Sequence, residues 1–111
     1  MVALGILALA PLRLAVATTP PTDGQKVSVL FVQGNVPKPG LDFNAERRAV
    51  LDNHVRATVA ATEGEATPPT LVVWPENSSD IDPLRNLDAK ADIALAVDAA
   101  RAPVLVGAVL D

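Results

Sequence analysis

The 111-residue chain has a formal net charge of −4 and a sequence pI of about 4.8, so it carries no basic surface suited to nucleic acid or to an anionic membrane. It contains no cysteine and one histidine, which excludes disulfides and a cysteine nucleophile among these residues and disfavours a histidine metal site. We therefore expect no nucleic-acid partner, no metal and no cofactor. Half of the residues are hydrophobic but few are aromatic, as in α/β proteins with buried strands.

The first 17 residues are almost all apolar, interrupted by Pro11 and Arg13. A membrane helix needs about 20 apolar residues, and an arginine is costly within the bilayer. Three interpretations remain open: the outer end of a transmembrane helix whose beginning lies outside this reading frame, a signal peptide ending at Ala15-Val16-Ala17, or an amphipathic helix that packs on the domain. We favour the first. Residues 18–25 are predicted to be a linker.

Residues 26–111 are predicted to form the globular domain. Its first strand is the β-rich apolar run from Val27 to Val32. The stretch from Gln33 to Gly40 contains two prolines and two glycines and predicts a turn. A helix is predicted to follow from Ala45 to Ala61.

The predicted helix has a cap and two faces. Asn44 or Asp42 supplies the N-cap, and the lone His54 is expected to be partly exposed, with a structural role rather than a ligand role. The buried stripe is predicted to consist of Leu51, Val55 and Val59. The side chains predicted to face solvent are Glu46, Arg47, Arg48, Asp52 and Arg56.

The second half of the chain repeats this alternation. A strand is predicted from Thr70 to Trp74, a helix from Leu87 to Arg101, and a third strand from Pro103 to Leu110. The apolar face of this helix is predicted to contain Ala91, Ile93, Ala94, Leu95, Val97 and Ala100.

The order of elements is therefore β-α-β-α-β, and the strands are continuously apolar rather than alternating. This pattern is typical of an α/β fold with a parallel sheet covered by helices. Right-handed crossovers would bring the carboxyl ends of all three strands to one edge. Gln33-Gly34-Asn35, Pro75-Glu76 and the residues after Leu110 are expected to meet there, where ligands of open α/β sheets bind.

Glu76 is the candidate catalytic residue. The apolar run Leu71 to Trp74 leads through Pro75 directly to this carboxylate. Flanking apolar surface would raise the pKa of Glu76, which would make it a base that works near neutral pH. The alternative from these residues alone is a surface glutamate in a polar turn, from Asn77 to Asp80.

Two motifs resemble those of the nitrilase, or carbon-nitrogen hydrolase, superfamily. They are Val32-Gln33-Gly34-Asn35-Val36-Pro37 and, some forty residues later, Val72-Val73-Trp74-Pro75-Glu76. Within the superfamily they are most similar to the apolipoprotein N-acyltransferase branch. The resemblance extends from Lys26 to Asp111 and corresponds to about the first third of that family's catalytic domain.

The resemblance implies an αββα sandwich on the outer face of the cytoplasmic membrane. Such enzymes transfer an acyl chain from a phospholipid to the N-terminal amine of a lipoprotein's diacylglyceryl-cysteine, through a thioester on a catalytic cysteine. Glu76 matches the family's general base, and a lysine and the cysteine complete the triad. Gln33 and Asn35 are expected to contact substrate.

The chain departs from the family pattern in lacking the other two triad members. It has no cysteine, and Lys26, Lys38 and Lys90 all lie outside the stretch where the lysine belongs. We therefore expect an inactive, poorly soluble fragment with an uncovered third strand. The alternatives are a fragment of a soluble amidase of the same superfamily and a small non-catalytic α/β module that holds a polar ligand at its strand ends.

Overall fold

The computed structural model describes residues 24–35 and 42–111 of the chain. The elements in chain order are β1 (Val29–Phe31), α1 (Phe43–Thr62), β2 (Leu71–Val73), α2 (Leu87–Ala100) and β3 (Val104–Leu105), so the predicted β-α-β-α-β order is confirmed. The apolar segment 1–17 and most of the predicted linker lie outside the described residues. No helix in the described ranges has the length and apolar character that a membrane crossing requires.

The three strands form one parallel sheet in the order β1-β2-β3. Val29 pairs with Leu71, and Val72 pairs with Val104, as the continuous apolar strands predicted. All three strands are shorter than predicted, although backbone hydrogen bonds continue past their ends. The amide of Val32 donates to the carbonyl of Val73 over 3.0 Å, and that of Trp74 donates to Leu105 over 2.9 Å.

Both helices cover the same face of the sheet. Leu51 and Val55 of α1 and three alanines of α2 pack with Val72 and Trp74 of the central strand in one cluster. The opposite face is bare within the described residues: Phe31 is 75% exposed, and Val29 and Leu105 are also exposed. The prediction that helices cover the sheet therefore holds for one face only.

Helix α1 begins two residues earlier than predicted because Asp42 is its N-cap. The Asp42 carboxylate accepts a hydrogen bond from the backbone N–H of Ala45 over 2.9 Å. The predicted exposure of His54 is wrong, since this side chain is only 3% exposed, and the predicted burial of Val59 is also wrong. The buried face of α1 is instead completed by two threonines, Thr58 and Thr62.

Helix α2 has nearly the predicted bounds but a different buried face. Its buried residues are Ala89, Ala96 and Ala100, whereas Leu95 is 59% exposed. Spacings of seven and four residues place the three alanines on one face, and their small side chains let the helix approach its neighbours closely. The predicted apolar face is correct for Ala100 and for Ile93, which packs against the core, but wrong for Leu95, Ala91 and Ala94.

Charged side chains join α1 to its neighbours. Arg48 forms ion pairs with Asp88 and, over 3.1 Å, with Asp92 of α2. Arg47 donates to the backbone carbonyl of Asp80. Both arginines are partly buried, so the prediction that they face solvent is corrected by these contacts between elements.

Asp82 organises the turn that precedes α2. Its buried carboxylate accepts hydrogen bonds from the backbone N–H groups of Leu84, over 2.8 Å, and Asp111, over 3.1 Å. The hydrogen bond from Leu84 is the main cause that lowers the pKa of Asp82 below its usual value of 3.8, and the Asp111 N–H and the charge of Arg85 act in the same direction. The turn is thus held by an ionised carboxylate.

We expect Asp82→Asn to reduce the acid sensitivity of the fold. Because the pKa of Asp82 is lower in the folded than in the unfolded chain, its contribution to stability is present above pH 3.8 and is lost as the pH falls through the folded-state value. The measurement is urea unfolding at pH 6 and pH 3, followed by the fluorescence of Trp74, the only tryptophan. An equal loss of stability in the parent and the variant would contradict this role.

We expect Phe31→Thr to reduce self-association of the 111-residue chain. Phe31 projects from the bare face of the sheet, so its replacement removes exposed apolar area while a β-branched residue still suits the strand. Static light scattering at increasing protein concentration measures the effect. The matched control is Val72→Thr on the covered face, which should destabilise the fold; unchanged scattering of Phe31→Thr would show that this face does not drive association.

Candidate functional site

A cavity of about 410 Å³ opens at the carboxyl-terminal edge of β1 and β2. Gln33 and Glu76 both line it, so the structure brings these two predicted site residues together. Asn35 is not among the described residues that line the cavity; its backbone carbonyl accepts a hydrogen bond from the Asn53 side chain over 2.6 Å. The described lining residues are Gln33, Gly34, Glu46, Arg47, Val50, His54, Pro75, Glu76, Asn77 and Asp80.

Glu76 is presented by a sharp turn immediately after β2. Asn77 adopts a left-handed conformation with φ of 60°, which asparagine tolerates better than most residues. The Glu76 side chain is exposed, so it lacks the apolar flank that we expected. The alternative of a surface glutamate is therefore confirmed for Glu76 itself, but the turn that follows is not solvated throughout, since Ser78 and Ser79 are fully buried.

Trp74 fixes the strand end two residues before Glu76. Its indole is 2% exposed, and its Nε1–H donates to Thr58 Oγ1 over 2.9 Å. The Thr58 hydroxyl in turn donates to the backbone carbonyl of His54 over 2.8 Å. This chain of hydrogen bonds ties the end of β2 to the middle of α1.

His54 packs between the two strand ends. Its ring lies 5.6 Å from that of Trp74, and Nδ1 is 2.8 Å from the carbonyl of Val50, which can only accept, so Nδ1 carries the proton and donates. Nε2 is buried and has no hydrogen-bond partner among the described residues. His54 is therefore a packing residue in this arrangement.

Gly34 is required by this packing. A Cβ at position 34 would lie 2.6 Å from His54 Nδ1 and 2.9 Å from His54 Cε1 and from the His54 backbone nitrogen. The glycine between Gln33 and Asn35 therefore allows the β1 end to approach α1 closely. This contact sets where Gln33 enters the cavity.

One face of α1 supplies the cavity wall that sequence reasoning missed. The wall consists of four residues of α1: Glu46, Arg47, Val50 and His54. Successive members are one, three and four residues apart, so they share a side of the helix. That spacing was a usable signal. Charged residues at this spacing also fit a solvated helix face, so the sequence alone does not distinguish the two.

Carboxylates predominate among the charged groups that line the cavity. Its described lining contains three carboxylates, Glu46, Glu76 and Asp80, and one guanidinium, that of Arg47. The chain has no cysteine to act as a nucleophile, and no group of three potential metal ligands occurs among the residues that the structure describes. Glu76 and Asp80 line the cavity from the turn after β2, and Glu46 lines it from α1.

The fold and the site define an α/β domain of parallel type with a carboxylate presented at its strand-end edge. Comparison with curated proteins identifies relatives of this domain. The chain is 56% identical over 92 residues to an apolipoprotein N-acyltransferase of Mycolicibacterium smegmatis, a match that covers 79% of the chain and 16% of the relative. Enzymes of the same name from Allorhizobium ampelinum and Sinorhizobium medicae are 33% and 32% identical over 75 residues, covering 68% of the chain and 14% of each relative.

The homologues of this chain are thus apolipoprotein N-acyltransferases, and the resemblance to that branch is confirmed. The chain spans about a sixth of the length of the curated relatives that it matches. No protein-family model and no solved structure matches it.

We expect Thr58→Val to destabilise the strand end that carries Glu76. The variant keeps the shape of the side chain but leaves the buried indole N–H of Trp74 without its acceptor, at a cost of about 1–3 kcal/mol. Urea unfolding followed by tryptophan fluorescence measures the loss. Thr67→Val, at an exposed position, is the matched control and should change stability little; an equal effect of the two substitutions would contradict the anchoring role of Thr58.

Proposed function

We propose that this chain is a segment of an apolipoprotein N-acyltransferase in which Glu76 is the general base. The observation that carries the proposal is the placement of Glu76 at the end of β2, lining a cavity with Gln33, in a chain whose homologues bear that name. Gln33 is proposed to contact substrate. Asn35 does not line the described cavity, and we propose that it affects substrate contact through the backbone segment that joins it to Gln33.

In the proposed reaction the Glu76 carboxylate accepts the proton of a cysteine thiol. The thiolate attacks the acyl carbonyl of a phospholipid, a carbon–sulfur bond forms, and the ester carbon–oxygen bond breaks as Glu76 returns the proton to the departing oxygen. The amine of the lipoprotein acceptor then attacks the thioester and gives up a proton to Glu76. The carbon–nitrogen bond forms, the carbon–sulfur bond breaks, and the departing thiolate takes from Glu76 the proton that the amine gave up.

The cysteine, and the lysine that stabilises the oxyanion, are proposed to come from outside these 111 residues. The sequence contains no cysteine, so the chain alone is expected to form no thioester. The bare face of the sheet, with Phe31 and Leu105, suits the second sheet of an αββα sandwich. Residues 1–17 are proposed to be the membrane segment that holds this domain on the extracytoplasmic side.

The proposal is tested in a chimera, because the chain covers only part of its relatives. Residues 26–111 replace the aligned segment of the Mycolicibacterium smegmatis enzyme, and the chimera is expressed in a strain that lacks that enzyme. Mass spectrometry of a lipoprotein N-terminus then measures N-acylation. We expect the chimera to restore it and Glu76→Gln to lower the rate by about 10²- to 10⁴-fold, the usual worth of a general base.

The control variant is Glu63→Gln, which removes an exposed carboxylate beyond the opposite end of α1 and should leave the rate unchanged. Retention of the parental rate by Glu76→Gln would rule out Glu76 as the base. Failure of the chimera to restore acylation while it is stably present in the membrane would count against the acyltransferase assignment and favour a binding role for the domain.

A further inference from the structure

Gly107 lies against the backbone of the turn that carries Glu76. A Cβ at position 107 would stand 2.3 Å from the carbonyl oxygen of Pro75 and 2.8 Å from the Cα of Glu76. These neighbours are backbone atoms, which cannot swing aside as the end of a side chain can. The φ of Gly107 is outside the left-handed region, so this position needs glycine for space rather than for conformation.

Hydrogen bonds hold the same turn to the segment around Gly107. The carbonyl of Gly107 accepts from the Ser79 backbone N–H over 3.2 Å and from the Ser78 hydroxyl over 3.1 Å. The Val109 N–H donates back to the Ser79 carbonyl over 3.0 Å. Ser78 and Ser79 are fully buried, so solvent does not compete for these bonds.

We propose that Gly107 and Ser78 are positioning residues for Glu76. The absent side chain at 107 lets the segment after β3 lie directly on Pro75 and Glu76, and the Ser78 hydroxyl holds the far side of the turn to the same carbonyl. The inference rests on the proposed role of Glu76 as general base. It adds that the orientation of the carboxylate is set by the segment that follows β3 as well as by its own strand.

The closeness of the contact gives the expected size of the effect. An alanine at 107 would have to move the Pro75 carbonyl away by about 1 Å to reach ordinary van der Waals separation, which begins at 3.4 Å. Misplacement of a catalytic group by about 1 Å can cost about 100-fold in rate. We therefore expect Gly107→Ala to lower the rate of acyl-enzyme formation per active site by about 10- to 100-fold.

The experiment uses the chimera described above, in membranes, with a phospholipid acyl donor. The number of intact active sites is measured from the amplitude of the acyl-enzyme burst, and the acylation rate constant is measured per site across pH. Gly107→Ala is expected to lower that rate constant, to change the pH of half-maximal rate, and to leave the KM for phospholipid within about twofold. Ser78→Ala, which removes one hydroxyl and leaves the backbone untouched, should lower it by about threefold to tenfold.

Gly64→Ala is the matched control. Gly64 has a positive φ of 77° and open space around its Cβ position, so an alanine there strains the backbone far from the turn. It should reduce the number of active sites without changing the rate per site. If Gly107→Ala or Ser78→Ala also changed only the number of sites, the residues would be structural and the positioning role would be overturned.

Ser78→Ala keeps the inference testable if Gly107→Ala does not fold, since an unchanged rate per site in Ser78→Ala would by itself refute it. If Glu76 is not the general base, the experiment gives a different result. In that case Glu76→Gln retains the parental rate per site, whatever the substitutions at 78 and 107 do.

Discussion

The hydrogen bond from Trp74 to Thr58 is the contact on which the rest of the described site depends. It satisfies the one buried indole N–H by using a hydroxyl from the C-terminal half of α1, where few other acceptors exist because the helical carbonyls are already bonded. Trp74 is thereby fixed against the helix, and the chain can turn sharply only after it. Glu76 consequently leaves the sheet at a defined point, which a freely moving strand end would not provide.

The order and type of the elements could be predicted from the sequence because they depend on local patterns. Continuous apolar runs that alternate with helical segments favour a parallel sheet whatever the details of packing. Residue type limited the N-cap to Asn44 or Asp42, and the structure decides for Asp42. Glu76 and Gln33 were also predictable as neighbours, since parallel strands bring their carboxyl ends to one edge. The strand lengths were overestimated because apolar character continues past the residues that pair.

The remaining features depend on contacts between distant residues and leave a weaker trace in the sequence. The burial of His54 follows from Gly34 and Trp74, which flank its ring from two different strand ends. The burial of Ser78 follows from a carbonyl 29 residues later, and nothing in a run of small polar residues distinguishes a buried turn from a solvated one. The predicted burial of Leu95 is wrong for a related reason. The buried face of α2 consists of small alanines rather than large aliphatic residues.

The exposure of Glu76 bears directly on how such a site could work. A carboxylate in contact with solvent is a weak base, and its use on a thiol requires that neighbouring groups exclude water and hold the thiol close. The described residues supply the position of the carboxylate, through Trp74 and the turn after it, but not that enclosure. In the proposed acyltransferase the enclosure must therefore come with the nucleophile, from the same additional residues. Assembly of the site would then enclose the carboxylate and deliver the thiol together, so that Glu76 would meet its proposed reaction partner only in the completed site.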